Sequence, residues 1–220
     1  MPVLKQLDDT HFVLIPDVEP EIEEEFVNSN PGYIRVESLP EAVFGFYIYN
    51  SNTNTFEVDT EKEIPMYKRL LIERMDAFTK EYIVDRYPYE KQLADAQQQD
   101  FYGTAIMMIR QAHSDRDPLT IDQIYVIIGD LTNQVWYSDN PKDTFISLVS
   151  QFPEDERYYW SQLLKCSIRK AWVVRGCVYP FNQYRQSVLN ASTLDELKAL
   201  DVEAIDFLEF PYWLDEIVIL

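Results

Sequence analysis

The 220-residue chain contains little glycine and little histidine, and both shortages narrow the chemistry open to it. Its five glycines form no glycine-rich loop that could hold a phosphate group and no flexible linker between domains. Only His11 and His113 are available as side chains that titrate near neutral pH. The motifs Gly-x-Ser-x-Gly, paired Cys-x-x-Cys and His-Glu-x-x-His are also missing. We therefore predict that the protein is not an enzyme, and we assign it no catalytic, cofactor-binding or metal-binding residues.

Cysteine is scarce too, since the chain has only Cys166 and Cys177. On one helix their separation corresponds to a rise of about 16 Å, which a disulfide cannot span. We expect two free thiols that serve as small core residues, with a catalytic pair of one cysteine and His113 as the minor alternative. One group has metal-like spacing: His113, Asp115, Asp117 and Asp122. It lacks the glycine and glutamate of a calcium-binding loop, so capping of turns and helices is the favoured role.

Long apolar runs are missing as well. No stretch approaches the roughly 18 apolar residues that a membrane-spanning helix requires. The N-terminal residues do not form a basic region followed by an apolar one, which is the pattern of a secretory signal. We therefore expect no membrane partner and a cytoplasmic location.

Basic residues are half as frequent as acidic ones, which gives a net charge of −19 and an isoelectric point near 4.4. The resulting field repels nucleic acids and favours basic protein partners. Aromatic residues beside the cations of 157–172 could stack on a single-stranded nucleic acid. However, the spacing of Trp160, Leu164, Ile168 and Trp172 is that of a buried helical stripe, so we expect no nucleic-acid partner.

Charge is also segregated along the chain. No acid lies between Tyr158 and Thr193, whereas residues 195–220 contain eight acids and one lysine. The basic stretch contains Arg157, Lys165, Arg169, Lys170, Arg175 and Arg185. We predict that the acidic C-terminal segment packs against this stretch, within one subunit or across a dimer. Exposed ion pairs contribute only about 0–1 kcal/mol each, so apolar contacts of Phe207, Trp213 and Ile217 should supply most of the docking energy.

The first sixty residues predict β structure, because short apolar or alternating runs are separated by turn-forming residues. Candidate strands are 12–15, 33–36 and 43–49. The strongest hairpin signal joins 44–49 to 55–58 through the asparagine-rich loop 50–54. The acid-rich run 17–25 is expected to be a solvated loop or short helix, with a site for a basic partner as the alternative.

Helical spacing replaces the strand pattern from about residue 62. The residues Tyr67, Leu71, Met75, Phe78 and Tyr82 recur every three or four positions, which predicts the buried face of a helix that ends before Pro88. Further helices are expected over 89–113, from 119 or 120 to 131, over 141–152 and from 153 toward 176. A helix after Pro180 is expected to run through 188, and a short one from 193 to 200. The sequence thus predicts an α+β fold, with a β-rich module at 1–60 and a mainly helical domain at 61–220.

Several local features refine this prediction. In the helix 89–113, the face of Phe101, Ala105, Met108 and Ile109 is expected to meet the core. Residues 133–140 are expected to be extended or loop, and Tyr179–Pro180 to interrupt the long basic helix. Thr193 and Glu196 form a capping-box pattern. The apolar end 217–220 is expected to add a strand or to dock in a groove.

Three short passages resemble accessory proteins that are encoded beside bacteriophage tail-fibre genes, including tail-fibre assembly chaperones and small tail proteins. The first is the aromatic hairpin 46–56, and the second combines 86–97 (Arg-Tyr-Pro-Tyr-Glu-Lys-Gln onward) with the turn 115–119. The third is 189–201, which is similar to a common C-terminal ending of such proteins.

The resemblance implies a structural or assembly role that involves no catalytic residues. The expected partner is a tail or fibre protein. The expected location is the host cytoplasm during assembly, with the virion as the alternative. A homo-oligomer is compatible with either location. A second hypothesis is an acidic inhibitor that imitates nucleic acid and occupies the basic groove of a host defence enzyme. The runs 17–25 and 195–216 would supply its carboxylates.

Overall fold

The structure is a computed structural model that describes residues 1–16, 18 and 23–219. Over these residues the fold is α+β, with a small antiparallel sheet before residue 59 and a mainly helical region after it, as the sequence predicts. The chain divides into two compact units. The first unit comprises Met1–Asp76 and Tyr184–Ala204, and the second comprises Ala77–Gln183 and Ile205–Leu220. Each unit therefore combines two separate stretches of the chain.

Within the described part of the first unit, five strands form one sheet. They are β1 (Val3–Gln6), β2 (His11–Ile15), β3 (Tyr33–Arg35), β4 (Phe46–Asn50) and β5 (Thr55–Val58), in the order β3-β1-β2-β4-β5. All neighbouring strands are antiparallel. Strand β1 was not predicted, because its sequence Val-Leu-Lys-Gln places two apolar residues before two polar ones and does not alternate.

The predicted hairpin is confirmed as the pair β4 and β5. Tyr49 lies opposite Phe56, and Asn54 adopts the left-handed conformation (φ 54°) that such a loop requires. The predicted start of β4 at residue 43 is wrong. The backbone N–H groups of Val43 and Phe44 donate instead to the buried carboxylate of Glu63, so they are not available to a strand.

The acid-rich run 17–25 lies largely outside the described residues. Its last part begins helix α1 (Glu23–Ser29). The carboxylate of Glu23 is buried and accepts from the N-terminal amine of Met1, and the Arg35 guanidinium lies 3.3 Å away. This acid therefore has a structural role within the first unit.

The helices follow the predicted order with shifted ends. They are α2 (Thr60–Arg86), α3 (Tyr89–Ala112), α4 (Ile121–Trp136), α5 (Pro141–Ser150), α6 (Glu154–Ala171), a π-helix (Trp172–Val178), α7 (Tyr179–Asn190), α8 (Leu194–Lys198), a 3₁₀ turn (Val202–Ala204) and α9 (Trp213–Glu216). The capping box of Thr193 and Glu196 is confirmed at the start of α8. None of the helices over the described residues is both long and apolar enough to cross a membrane.

Two predictions about α3 and α4 are wrong. The buried residues of α3 are Asp95, Tyr102, Gly103 and Ile106, while Phe101 and Met108 are largely exposed. The core-facing stripe is thus displaced from the predicted one, because both stripes are apolar and periodicity cannot decide between them. Helix α4 continues through Trp136, into the stretch that was expected to be extended.

The core of the second unit is built around α6. Trp160, Leu163, Leu164 and Ile168 are almost completely buried, and Trp160 stacks on Phe152 with ring centroids 4.3 Å apart. The predicted buried stripe of Trp160, Leu164, Ile168 and Trp172 is therefore confirmed. Ile217 also joins this core, while residues 217–219 form no strand and Leu220 lies outside the described residues.

Candidate functional site

The basic helix α6 binds the C-terminal segment within the second unit. Arg169 has a nearly buried side chain, and its Nη2 donates to Oδ1 of Asp215 at 2.6 Å. Its Nη1 donates to Oδ2 of Asp95 on α3 at 3.1 Å, and the hydroxyl of Tyr87 donates to the same carboxylate at 2.7 Å. Burial and then this hydrogen bond raise the pKa of Tyr87, so the hydroxyl keeps its proton. Arg169 thus joins α3 to α9.

Lys165 provides a second link between α6 and the C-terminal segment. Its Nζ donates to the backbone carbonyl of Ile217 at 2.6 Å. Lys165 is buried, and this burial lowers the pKa of its ammonium group. The predicted docking of the acidic segment on the basic stretch is therefore confirmed for Asp215 and Ile217. Of the predicted apolar anchors, Ile217 is buried, while Phe207 and Trp213 are only partly buried. Phe210 and Leu214, which were not predicted as anchors, are buried as deeply as Ile217 or more so.

A second buried carboxylate lies at the start of α6. Glu156 is fully buried and accepts hydrogen bonds from Arg110, Arg116 and the indole N–H of Trp160, each at 2.9 Å. Because every oxygen of this carboxylate is paired, the network can hold α3 and α6 together. It offers no free acid for catalysis.

The helix that begins with α6 does not end at Pro180 but changes register before it. Residues Trp172–Val178 are π-helical, and α7 follows directly. Proline has no N–H with which to bond the carbonyl four positions earlier, which belongs to Gly176. The N–H of Leu208 occupies that carbonyl at 3.0 Å, and the indole N–H of Trp172 donates back to the Leu208 carbonyl at 2.8 Å. The predicted interruption at Tyr179–Pro180 is therefore wrong, because the N–H of Leu208 satisfies the freed carbonyl and the helix continues into α7.

Residues 208–213 form one wall of an aromatic cleft. The cleft has a volume of about 480 Å³ and is lined by Trp136, Phe210, Pro211, Tyr212, Trp213 and Glu216, among others. Tyr212 and the neighbouring Leu208 are about half exposed at its edge. Two carboxylates, Glu209 and Glu216, belong to the lining. We call this feature the aromatic cleft.

The aromatic cleft was not predicted as a binding site from the sequence. A signal was present, because the run 207–213 places four aromatic residues and a proline within seven positions. Such a run is also compatible with a buried core segment. Only the fold shows that Phe210 turns inward while Tyr212 stays at the surface.

The cysteines, His113 and the nearby acids, which the sequence offered as catalytic or metal-binding residues, do not line the aromatic cleft. Cys166 and Cys177 are free and buried, as predicted, and burial raises the pKa of each thiol to about 12. His113 lies 3.2 Å from Asp155 and 3.7 Å from Asp115, in partly exposed ion pairs. Among the described residues, no three or more histidine, cysteine or acidic side chains are grouped to hold a metal ion, so the Asp115, Asp117 and Asp122 spacing does not build a site.

His11 belongs to the first unit and has a similar structural role. Its Nδ1 lies 2.7 Å from Oδ1 of Asp8 in the turn between β1 and β2. Hydrogen bonds from the Thr10 backbone, and then from His11, lower the pKa of Asp8, which keeps this carboxylate charged. The pair closes the β1–β2 turn.

Comparison with protein-family models, with curated proteins and with solved structures finds no match for this chain. The proposed function therefore rests on the residues and clefts of the chain itself.

Proposed function

We propose that the protein is a non-enzymatic binding protein whose aromatic cleft receives a segment of a phage tail or tail-fibre protein. The observation that carries the proposal is the composition of the cleft. Aromatic rings from α4 and from the 207–213 segment surround a volume large enough for several side chains, and Tyr212 remains about half exposed beside it. Tyrosine and tryptophan are the residues on which binding energy at protein interfaces concentrates.

The charge of the cleft defines the partner segment. Glu209 and Glu216 line a wall that is otherwise mainly apolar, and the molecule as a whole carries a charge of −19. Glu216 already pairs with Lys142 at 2.7 Å, so Glu209 is the main acid for the partner segment. A segment with an apolar side chain and a neighbouring lysine or arginine satisfies both features. The field of the acidic protein would also speed the encounter with such a segment.

The phage context comes from the resemblance of 46–56, 86–97, 115–119 and 189–201 to tail-fibre accessory proteins. An assembly protein acts on freshly made tail components, so the proposed location is the host cytoplasm during assembly. The same interface would serve if the protein stayed in the virion.

Co-expression tests the proposal directly. The protein is produced with tail and fibre proteins from its natural host, and the proteins that co-purify with it are identified. We expect a tail or fibre component to co-purify, and we expect Tyr212→Ala to weaken that complex about tenfold or more. Tyr89→Ala is the matched control, because Tyr89 is also an exposed tyrosine of the second unit and does not line the cleft. Equal loss in both variants, or no tail component in the purified complex, contradicts the proposal.

A charge variant tests the expected chemistry of the segment. Glu209→Lys should weaken the complex and reduce its dependence on salt, because it reverses one of the two charges in the lining. Glu90→Lys makes the same charge change at an exposed position of α3 and should have little effect.

The hypothesis of an acidic nucleic-acid mimic draws on the same net charge. It needs carboxylates of the run 195–216 that are exposed at regular intervals, whereas Asp215 pairs with Arg169 and Lys91, and Glu216 pairs with Lys142. The aromatic cleft therefore gives the assembly role the stronger support.

A further inference from the structure

A second cleft of the second unit is cationic, which is unexpected in a chain of charge −19. It lies between α4 and the α6/π-helix, has a volume of about 360 Å³, and is lined by Gly129, Thr132, Asn133, Ser167, Lys170 and Arg175, with Val174 at its edge. No acidic side chain belongs to this lining over the described residues. We call it the cationic cleft.

The two cations of this cleft differ from Arg169 in their partners. Arg169 pairs with the carboxylates of Asp95 and Asp215. Lys170 donates instead to the side-chain oxygen of Gln99, and Nη2 of Arg175 donates to Oδ1 of Asn133 at 2.6 Å. The guanidinium carbon of Arg175 also lies 5.7 Å from the ring centre of Trp136 and 5.4 Å from that of Tyr137. All of these partners are neutral, so neither cation is paired with a carboxylate in these contacts.

One nitrogen of Arg175 is left without a hydrogen bond. Nη1 is buried and has no partner within residues 1–16, 18 and 23–219. A buried donor without an acceptor costs about 1–3 kcal/mol, and more when it belongs to a charged group. An oxygen anion in the cleft would remove that cost.

The two cations of the cleft come from different helical segments. Lys170 lies in the last turn of α6, and Arg175 lies five positions later in the π-helix. Both side chains belong to the lining of the cleft. In a continuous α-helix, residues five positions apart are not neighbours on one face, because only positions three or four apart are.

We propose that the cationic cleft binds a carboxylate from an acidic segment of a partner protein. The side-chain nitrogens of Lys170 and Arg175 would hold the two oxygens. Thr132 and Ser167 belong to the same lining, and the Thr132 hydroxyl donates to that of Ser167 at 2.9 Å. Arginine favours carboxylates because its planar guanidinium matches their geometry.

The surroundings favour a carboxylate over a phosphate. The α4 residues of the cleft belong to the C-terminal half of that helix. The helix dipole places partial negative charge at this end, which disfavours a doubly charged anion. Val174 is 60% exposed at the edge, and the apolar stem of a glutamate could pack on it. The usual phosphate cradle is a helix N-terminus or a glycine-rich loop, and this cleft is formed from helix interiors.

Binding of a fluorescent oligoglutamate peptide at low ionic strength, measured by anisotropy, tests the proposal. The net charge of the protein repels this probe, so binding reports a local site. We expect Arg175→Gln and Lys170→Gln each to weaken binding about tenfold. Lys80→Gln removes the same charge from an exposed position of α2 outside the cleft and should change affinity little. Lys170 is itself exposed, so its variant is expected to fold.

A blocking variant separates the cleft from general charge effects. A Cβ built on Gly129 meets no atom within 4 Å, so Gly129→Leu should fill the cleft without disturbing the core, and it should abolish peptide binding. Inorganic phosphate at matched ionic strength should compete no better than chloride. Unchanged binding by Gly129→Leu and Arg175→Gln, no binding by the wild-type protein, or displacement by phosphate each overturns the proposal. Because this probe is acidic and the aromatic cleft expects a basic segment, the result does not depend on the proposed function.

Discussion

Arg169 and Asp95 form a nearly buried ion pair, with Nη1 and Oδ2 3.1 Å apart and both side chains less than a tenth exposed. The pair connects α6 to α3, and Asp215 extends it to the C-terminal segment at 2.6 Å from Nη2. A buried charge that loses its partner is strongly destabilising, whereas exchange of the whole pair for apolar residues need not be. The stability of the second unit should therefore depend on Arg169 more than on any surface cation.

Arg169→Met tests this dependence. The substitution leaves the Asp95 carboxylate buried without a cation, so we expect the free energy of unfolding to fall by about 3–5 kcal/mol. Urea denaturation measures the change. Arg69→Met is the control, because Arg69 pairs with Glu73 on an exposed helix face and should contribute less than about 1 kcal/mol. If the two variants unfold at the same urea concentration, the Arg169 network does not stabilise the fold.

The double variant Asp95→Leu with Arg169→Met adds a second measurement. It removes both buried charges at once, and we expect it to be less destabilised than Arg169→Met alone. A larger loss in the double variant would mean that packing, and not the uncompensated charge, accounts for the effect.

Asp215 should make stability depend on pH in the acidic range. Burial alone would raise its pKa, but hydrogen bonds from Lys91 and Arg169 outweigh burial and lower the pKa below its ordinary value. A carboxyl whose folded pKa is depressed stabilises the protein above its unfolded pKa of about 4, and that contribution is lost as the pH falls through the folded pKa. Wild type and Asp215→Asn should therefore differ in melting temperature at pH 7 and converge below about pH 4.

The control for this pH experiment is Glu90→Gln, which removes an exposed carboxylate of α3. It should follow the wild-type curve closely. A gap between wild type and Asp215→Asn that stays constant down to pH 2 would show that the Asp215 charge is not responsible.

Two glycines on neighbouring helices should respond to alanine in opposite directions. A Cβ on Gly176 would lie 2.9 Å from Cδ1 of Trp172 and 3.2 Å from Cβ of Leu208, so Gly176→Ala should overpack the π-helix and cost about 1–3 kcal/mol. Gly129 is exposed and its Cβ would meet open space, so Gly129→Ala should stabilise α4 by up to about 1 kcal/mol. Thermal melts compare the two variants. An unchanged or higher melting temperature of Gly176→Ala would contradict the close contact at the π-helix, and a lower one of Gly129→Ala would contradict the open space on α4.

Local signals predicted much of this fold, and contacts between distant residues decided the rest. The β4–β5 hairpin, the stripe from Trp160 to Trp172 and the capping box of Thr193 depend on residues close in sequence, and each is confirmed. The start of β4 depends on Glu63, which lies almost twenty residues away. The continuation through Pro180 depends on Leu208, more distant still.

The candidate sites were harder to predict than the fold. Segregation of charge indicated that the C-terminal segment would meet the basic stretch, and Asp215 does pair with Arg169. It did not indicate which cations would be satisfied internally and which would line an open cleft. Arg169 and Lys170 are adjacent in the sequence, yet one is buried among carboxylates and the other is exposed. The two side chains lie on different faces of α6. The apolar periodicity of the sequence indicated which face is buried, but it did not indicate which cations would lie on that face.

Removal of the C-terminal segment tests whether apolar contacts or charges dominate its docking. Truncation after Ala191 deletes the buried side chains of Leu197, Phe210, Leu214 and Ile217, and we expect a clear drop in melting temperature. High salt applied to the full chain should lower the melting temperature only slightly, because exposed ion pairs contribute little and buried ones are poorly screened.

Point variants within the segment make the same comparison without a truncation. Leu214→Ala should cost about 2–5 kcal/mol, because this side chain is fully buried in the core of the second unit. Val218→Ala is the matched control, since Val218 is 78% exposed, and it should change stability by less than about 0.5 kcal/mol. An unchanged melting temperature in the truncated protein would show that the segment does not stabilise the fold, and a larger effect of salt than of Leu214→Ala would show that charge and not apolar burial holds the segment in place.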